Sequence, residues 1–158
     1  MAKWKQPPII KVYEALGTLA DKRIEVNKNQ AKVYSSSGNK YYEVEYDPHA
    51  NSISSNDNGS YWVGYLGYPA IAFLMSKKIV RFDKQMATIL KGFHWKDINS
   101  KYKNDFQKTQ SYIDEQIVTN NKDINIENFH IEIENILDQV ISLNINKPAS
   151  SKKPPQGY

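Results

Sequence analysis

Along the chain, the spacing of apolar positions changes twice. In "PPIIKVYEALGTLA", Ile9, Val12, Tyr13, Leu16, Leu19 and Ala20 recur every three or four residues behind a proline, which predicts a helix from Pro8 to about Ala20. The spacing then shortens to two. "KRIEV", "AKVYSSS" and "KYYEVEYD" read as strands separated by the turn-like "NKNQ" and "GN", and the third sets Tyr42, Val44 and Tyr46 on one face against Tyr41, Glu43 and Glu45 on the other. A fourth short strand is expected around Ser52 to Ser54, which gives a small antiparallel sheet of three or four strands.

Past the glycine-aromatic stretch "NGSYWVGYLGY" the period becomes helical again. "PAIAFLMSKK" starts with Pro69 in a first-turn position and is apolar nearly throughout, so it should be the most buried helix. "DKQMATILKG" has Asp83 as a cap and Gly92 as a stop. "DINSKYKNDFQKTQSYIDEQIV" reads as one longer helix, with Ile98, Tyr102, Phe106, Tyr112, Ile113 and Ile117 facing inward. An N-terminal helix, a small sheet and a helical C-terminal half make the expected class α+β.

The last periodic segment is a heptad-like stripe. Ile126, Phe129, Ile133, Ile136, Val140 and Leu143 alternate three and four apart, with Glu127, Glu132, Glu134 and Asp138 over the remaining surface. Such a stripe can pack on its own domain or bind a partner helix or a second copy, and the sequence leaves both open. The expected organisation is a compact domain over residues 1–118, an acidic amphipathic helix over 119–146, and a disordered basic tail over 147–158.

Charge follows the same division. Residues 1–113 hold 17 Lys/Arg against 10 Asp/Glu, 114–146 hold one Lys against seven acids, and 147–158 add three Lys, for a total of +4. A basic body favours polyanions through counterion release, although ordinary surface charge has the same composition. The chain has no cysteine, which leaves His49, His94 and His130 as zinc donors too far apart in sequence to suggest a site. No metal or cofactor is expected. "AKWKQPP" after Met1 lacks the apolar run of a secretory signal, and no segment reaches the ~18 apolar residues of a membrane helix, so a cytoplasmic protein without membrane contact is expected.

Few residues suggest catalysis. Glu43 and Glu45 share a strand face and could hold magnesium as in a nuclease, but the same alternation suits a solvated face. Nucleic-acid binding has broader support: Tyr61, Trp62 and Tyr65 lie in a glycine-containing loop, with Lys77, Lys78 and Arg81 not far beyond. Aromatic faces can stack bases while cations meet phosphates. These six are the candidate contact residues for DNA or RNA, through backbone contacts with weak sequence preference.

The order of elements in "NKYYEVEYDPHANSISSNDNGSYWVGYLGYPAIAFLM", Asn39 to Met75, resembles a SWIM-type zinc finger. Ser52-Ile53-Ser54 falls where that family has Cys-x-Cys, and Ala70-Ile71-Ala72 falls where Cys-x-His would follow the proline turn. The resemblance implies a finger-like scaffold that has lost its four zinc ligands, in a family associated with DNA binding and protein–protein contact. The expected function is therefore a non-enzymatic nucleic-acid-associated accessory module. The alternative is a protein-interaction or assembly subunit that uses Ile126, Phe129, Ile133, Ile136, Val140 and Leu143.

Overall fold

The expected alternation becomes an antiparallel meander in the computed structural model, which describes residues 1–156. Strands β2 (Ile24–Asn27), β3 (Gln30–Tyr34), β4 (Tyr41–Asp47) and β5 (Ser52–Ser55) pair in sequence order, with Lys32 opposite Glu43 and Val33 opposite Tyr42. Val33, Tyr42, Val44 and Ile53 are buried, while Glu43 and Glu45 stay on the outer face, where the Lys152 ammonium lies 3.3 and 4.0 Å from them. A lysine from the tail thus stands where the nuclease reading placed a magnesium ion.

The sheet has six strands, not three or four. β1 (Ala2–Lys3) and β6 (Asn146–Lys147) extend it beyond β5 in the order β1, β6, β5, β4, β3, β2, with β6 parallel to β5 and antiparallel to β1. Two-residue strands have no periodicity to read. Side chains fix them instead: the Trp4 indole donates to the Ile53 carbonyl at 2.9 Å, and Asn146 donates from its backbone to Asn51 and from its side chain to Ala50, both at 2.8 Å.

Helices α1 (Ile10–Ala20) and α2 (Tyr68–Ser76) pack on each other, and α2 packs on the inner sheet face. The first turn of α1 is closed by the Pro8 carbonyl, which accepts from Lys11 N at 2.9 Å. Pro69 sits in the opening turn of α2, as its missing N–H and fixed φ favour. Pro69 to Met75 are all buried, and a side chain such as Phe73 contributes ~1.5–3 kcal/mol by leaving water.

The expected long helix is two. α4 (Trp95–Lys101) and α5 (Phe106–Asn120) are separated at Lys103 and Asn104, both left-handed with φ 53 and 59, and Asp105 then caps α5 by accepting from Lys108 N. Helix α3 (Lys84–Thr88) precedes them, capped by Asp83 as expected.

Helix α6 (Ile126–Ser142) is part of the same body, since Phe129, Ile133, Ile136 and Val140 join one apolar cluster with residues of α1, α2 and α5, and Ile126 and Leu143 pack against it. The boundary expected after residue 118 falls inside α5. Tyr13 ties these helices together. Its hydroxyl donates to Asp114 at 2.7 Å, and the other Asp114 oxygen meets His130 at 2.9 Å; burial, reinforced by the bond to Asp114, holds the hydroxyl far above its ordinary pKa. Part of the expected tail also has contacts, since Asn56 Nδ2 donates to the Lys153 carbonyl at 3.3 Å. Its last two residues lie outside those described. Among the described residues no helix is long and apolar enough to cross a membrane.

Because the stripe is core, Ile133→Ala should lower the unfolding free energy by ~2–5 kcal/mol. Ile131→Ala, at a position 63% exposed on the same helix, should change it by less than ~0.5 kcal/mol. Urea titration of the two variants measures the difference.

Candidate functional site

The segment after β5 is organised by one buried carboxylate. Asp57, 5% exposed, accepts from Ser55 Oγ at 2.6 Å, Ser60 Oγ at 2.7 Å and Ser60 N at 3.1 Å. Ser60 Oγ in turn accepts from Gly67 N at 3.0 Å, which fixes the entry to α2. Between these bonds, Gly59–Val63 makes a single π-helical turn, a form often found at functional sites. Gly64 closes it in the left-handed region at φ 94. A Cβ on Gly67 would overlap the Asp57 carboxylate, and one on Gly59 would overlap the Tyr65 ring.

This turn separates the aromatics. Tyr65 and Leu66 point inward, whereas Trp62 is 69% exposed and Val63 55%. Tyr61 is half-buried and packs edge-on against Trp62, with ring centroids 4.6 Å apart. The N-terminal segment braces the turn from outside: Lys5 N donates to the Gly64 carbonyl at 3.0 Å, and Lys5 Nζ to the Val63 carbonyl at 3.2 Å.

Beside Trp62 and Tyr65 opens a cleft of about 550 Å³. Its opposite side comes from α1, the following loop and α4, through Lys11, Glu14, Arg23, Trp95 and Asn99. Lys11 Nζ and Glu14 Oε2 form an ion pair at 2.7 Å with both side chains nearly buried, and Asn99 Nδ2 donates to Glu14 Oε1 at 2.8 Å. Burial alone would lower the Lys11 ammonium, but Glu14, Tyr65 and Asp57 outweigh it and hold the pKa above its ordinary value. Burial also raises the Tyr65 hydroxyl, with Lys11 opposing. Both groups therefore stay protonated at neutral pH.

Besides Glu14 Oε2, which meets the Lys11 ammonium, three shielded polar atoms of cleft-lining residues have no hydrogen-bond partner among the described residues: Arg23 Nη2, Trp95 Nε1 and Asn99 Oδ1. The Trp95 nitrogen faces α1 at Gly17, where a Cβ would come within 2.8 Å of it. The rest of the Arg23 head is held, with Nη1 donating to the Tyr34 carbonyl at 2.6 Å and Nε to Asp21 at 3.4 Å.

The six expected contact residues fall into two groups. Tyr61, Trp62 and Tyr65 precede α2, whereas Lys77, Lys78 and Arg81 follow it, a helix of nine residues away, or ~13 Å. All three cations are exposed, and the Arg81 backbone is bound on both sides by the Gln139 amide of α6 at 2.8 Å. The expected partner stripe is not a surface, because Phe129, Ile133, Ile136 and Val140 are buried and Ile126 and Leu143 are packed beside them. Lys11, Glu14, Arg23 and Asn99 were not singled out from the sequence. One signal was available: Lys11 and Glu14 stand three apart in a helix whose other positions are mostly apolar. At the four positions compared with zinc ligands, Ser52 is buried, Ser54 is half-buried, and Ala70 and Ala72 are wholly buried in α2.

The raised Lys11 and Tyr65 values have the same consequence for stability. Each favours the protonated folded form, so the stability it gives is present below about pH 10 and is lost as the pH rises further. A Lys11→Met, Tyr65→Phe double variant should lose stability less steeply above pH 10 than the parent, with the share of Tyr13 remaining. Urea midpoints collected between neutral and strongly alkaline pH would measure the slope.

No curated protein and no solved structure matches the chain. One protein-family profile matches it, over residues 4–146, a span that takes in strands β2 to β5, the cleft and α6. The chain belongs to the family described as "Uncharacterised conserved protein UCP014422".

Proposed function

We propose that the protein is a non-enzymatic nucleic-acid-associated module that holds single-stranded DNA or RNA across the cleft beside Trp62, chiefly through the backbone. Trp62 carries the proposal: a side chain that is usually well buried is held 69% exposed, on a turn fixed by Asp57, at the mouth of the cleft. Lys5 and Lys147 flank the turn. Within the cleft, Lys11 is paired with Glu14 and Arg23 with Asp21.

A base stacked on Trp62 would contribute ~1–3 kcal/mol whatever its identity, and each phosphate neutralised would release counterions. On this proposal the SWIM-like order of strand, loop and helix is a scaffold closed by apolar packing, with Ala70 and Ala72 in place of metal ligands. Lys77, Lys78 and Arg81, at the far end of α2, are then secondary.

Binding of labelled single-stranded DNA and RNA across a salt series tests the proposal. Affinity should fall with salt, with a logarithmic slope of ~0.7 per phosphate contacted. Trp62→Ala should weaken binding about tenfold, an effect of ~1.4 kcal/mol, and more than Lys77→Glu, Lys78→Glu and Arg81→Glu together. Salt-independent binding, or none, would overturn it.

A further inference from the structure

We propose that the floor of the cleft is a subsite for the edge of one unpaired nucleobase, with Arg23 donating to it and Asn99 accepting from it. The proposal rests on the nucleic-acid function above and adds a contact that stacking and phosphate binding do not supply.

Shielded polar atoms in proteins nearly always have partners, and leaving one without costs ~1–3 kcal/mol. Here Arg23 Nη2 and Asn99 Oδ1 both lack one and both belong to residues of the same cleft. Their orientations are chemically fixed. Arg23 spends Nη1 on the Tyr34 carbonyl and Nε on Asp21, so Nη2 is its remaining donor nitrogen. Asn99 turns its amide nitrogen toward the Glu14 carboxylate at 2.8 Å. A flipped amide would set oxygen against oxygen, so Oδ1 is the acceptor left without a partner.

A ligand that met both atoms would need to offer an acceptor and a donor. A phosphate or carboxylate would satisfy Arg23 but oppose Asn99 Oδ1 and the Glu14 carboxylate behind it. An ammonium would satisfy Asn99 but oppose Arg23 and Lys11. Each nucleobase carries a neighbouring acceptor and donor on its pairing edge, on a flat body suited to the aromatic side chains Trp62 and Tyr65 of the cleft. Both protein atoms are shielded from water in this conformation, so entry of a base requires the local side-chain shift that is common on binding. With one donor and one acceptor, the subsite distinguishes a base with a polar edge from one without it, and discriminates little among the natural bases.

The test uses deoxy-oligomers of uniform abasic backbone that carry, at one central position, thymine, its difluorotoluene isostere, or no base. Their charge is identical, and the isostere stacks without a comparable hydrogen-bonding edge. For the parent protein, thymine should bind about tenfold tighter than the isostere. In Asn99→Leu, and separately in Arg23→Met, that ratio should fall to about one, while Trp62→Ala should weaken both oligomers and keep the ratio. A thermal melt of each variant confirms that it is folded. Equal affinity of the parent for thymine and the isostere would overturn the subsite while leaving the nucleic-acid function standing, as would a ratio unchanged in folded Asn99→Leu. Absence of salt-dependent binding even to an ordinary single strand would overturn that function itself.

Discussion

A buried carboxylate with no cation bonded to it must be saturated by donors, and at Asp57 that requirement shapes the chain on both sides. Ser55 ends β5, Ser60 begins the π-helical turn, and both give their hydroxyls to the same oxygen. The second oxygen takes Ser60 N and lies so close to Gly67 that no side chain fits there. Strand, turn and helix are thus drawn to one point. Trp62 is displayed, Tyr65 is turned into the cleft, and α2 starts where its apolar face meets α1, all as results of that convergence.

Helix α1 serves two regions with opposite needs. Toward the cleft it presents Lys11 and Glu14, an ion pair removed from water and extended by Asn99 of α4. Toward α5 and α6 it presents Tyr13, whose hydroxyl reaches Asp114 and through it His130. Buried charges are retained at a cost in desolvation that good geometry only offsets. Two polar clusters on one otherwise apolar helix are therefore difficult to explain by stability alone.

Much of this fold is legible in the chain because its elements have long enough periods. The three-and-four spacing of α1, the alternation of Tyr42 and Val44, and Pro69 ahead of an apolar run all correspond to elements in place. The misses have physical causes. Two-residue strands have no period, and the apolar spacing from Ile98 to Ile117 runs on through Lys103 and Asn104 although the backbone turns left-handed there. Tyr61, Trp62 and Tyr65 stand in or beside the irregular turn that glycine and aromatics mark in the sequence. Lys77, Lys78 and Arg81 are near them in sequence but a helix length away in space. Arg23 and Asn99 have no local signature, since what distinguishes them is a partner missing in the folded protein.

The pairing of β1 with β6 reaches beyond the sheet edge. The segment before α1 and the segment after α6 hold each other, and both are bonded to the loop and strand around Asn51 and Ile53. Loosening either segment strips hydrogen bonds from the other, so the two are secured or released together.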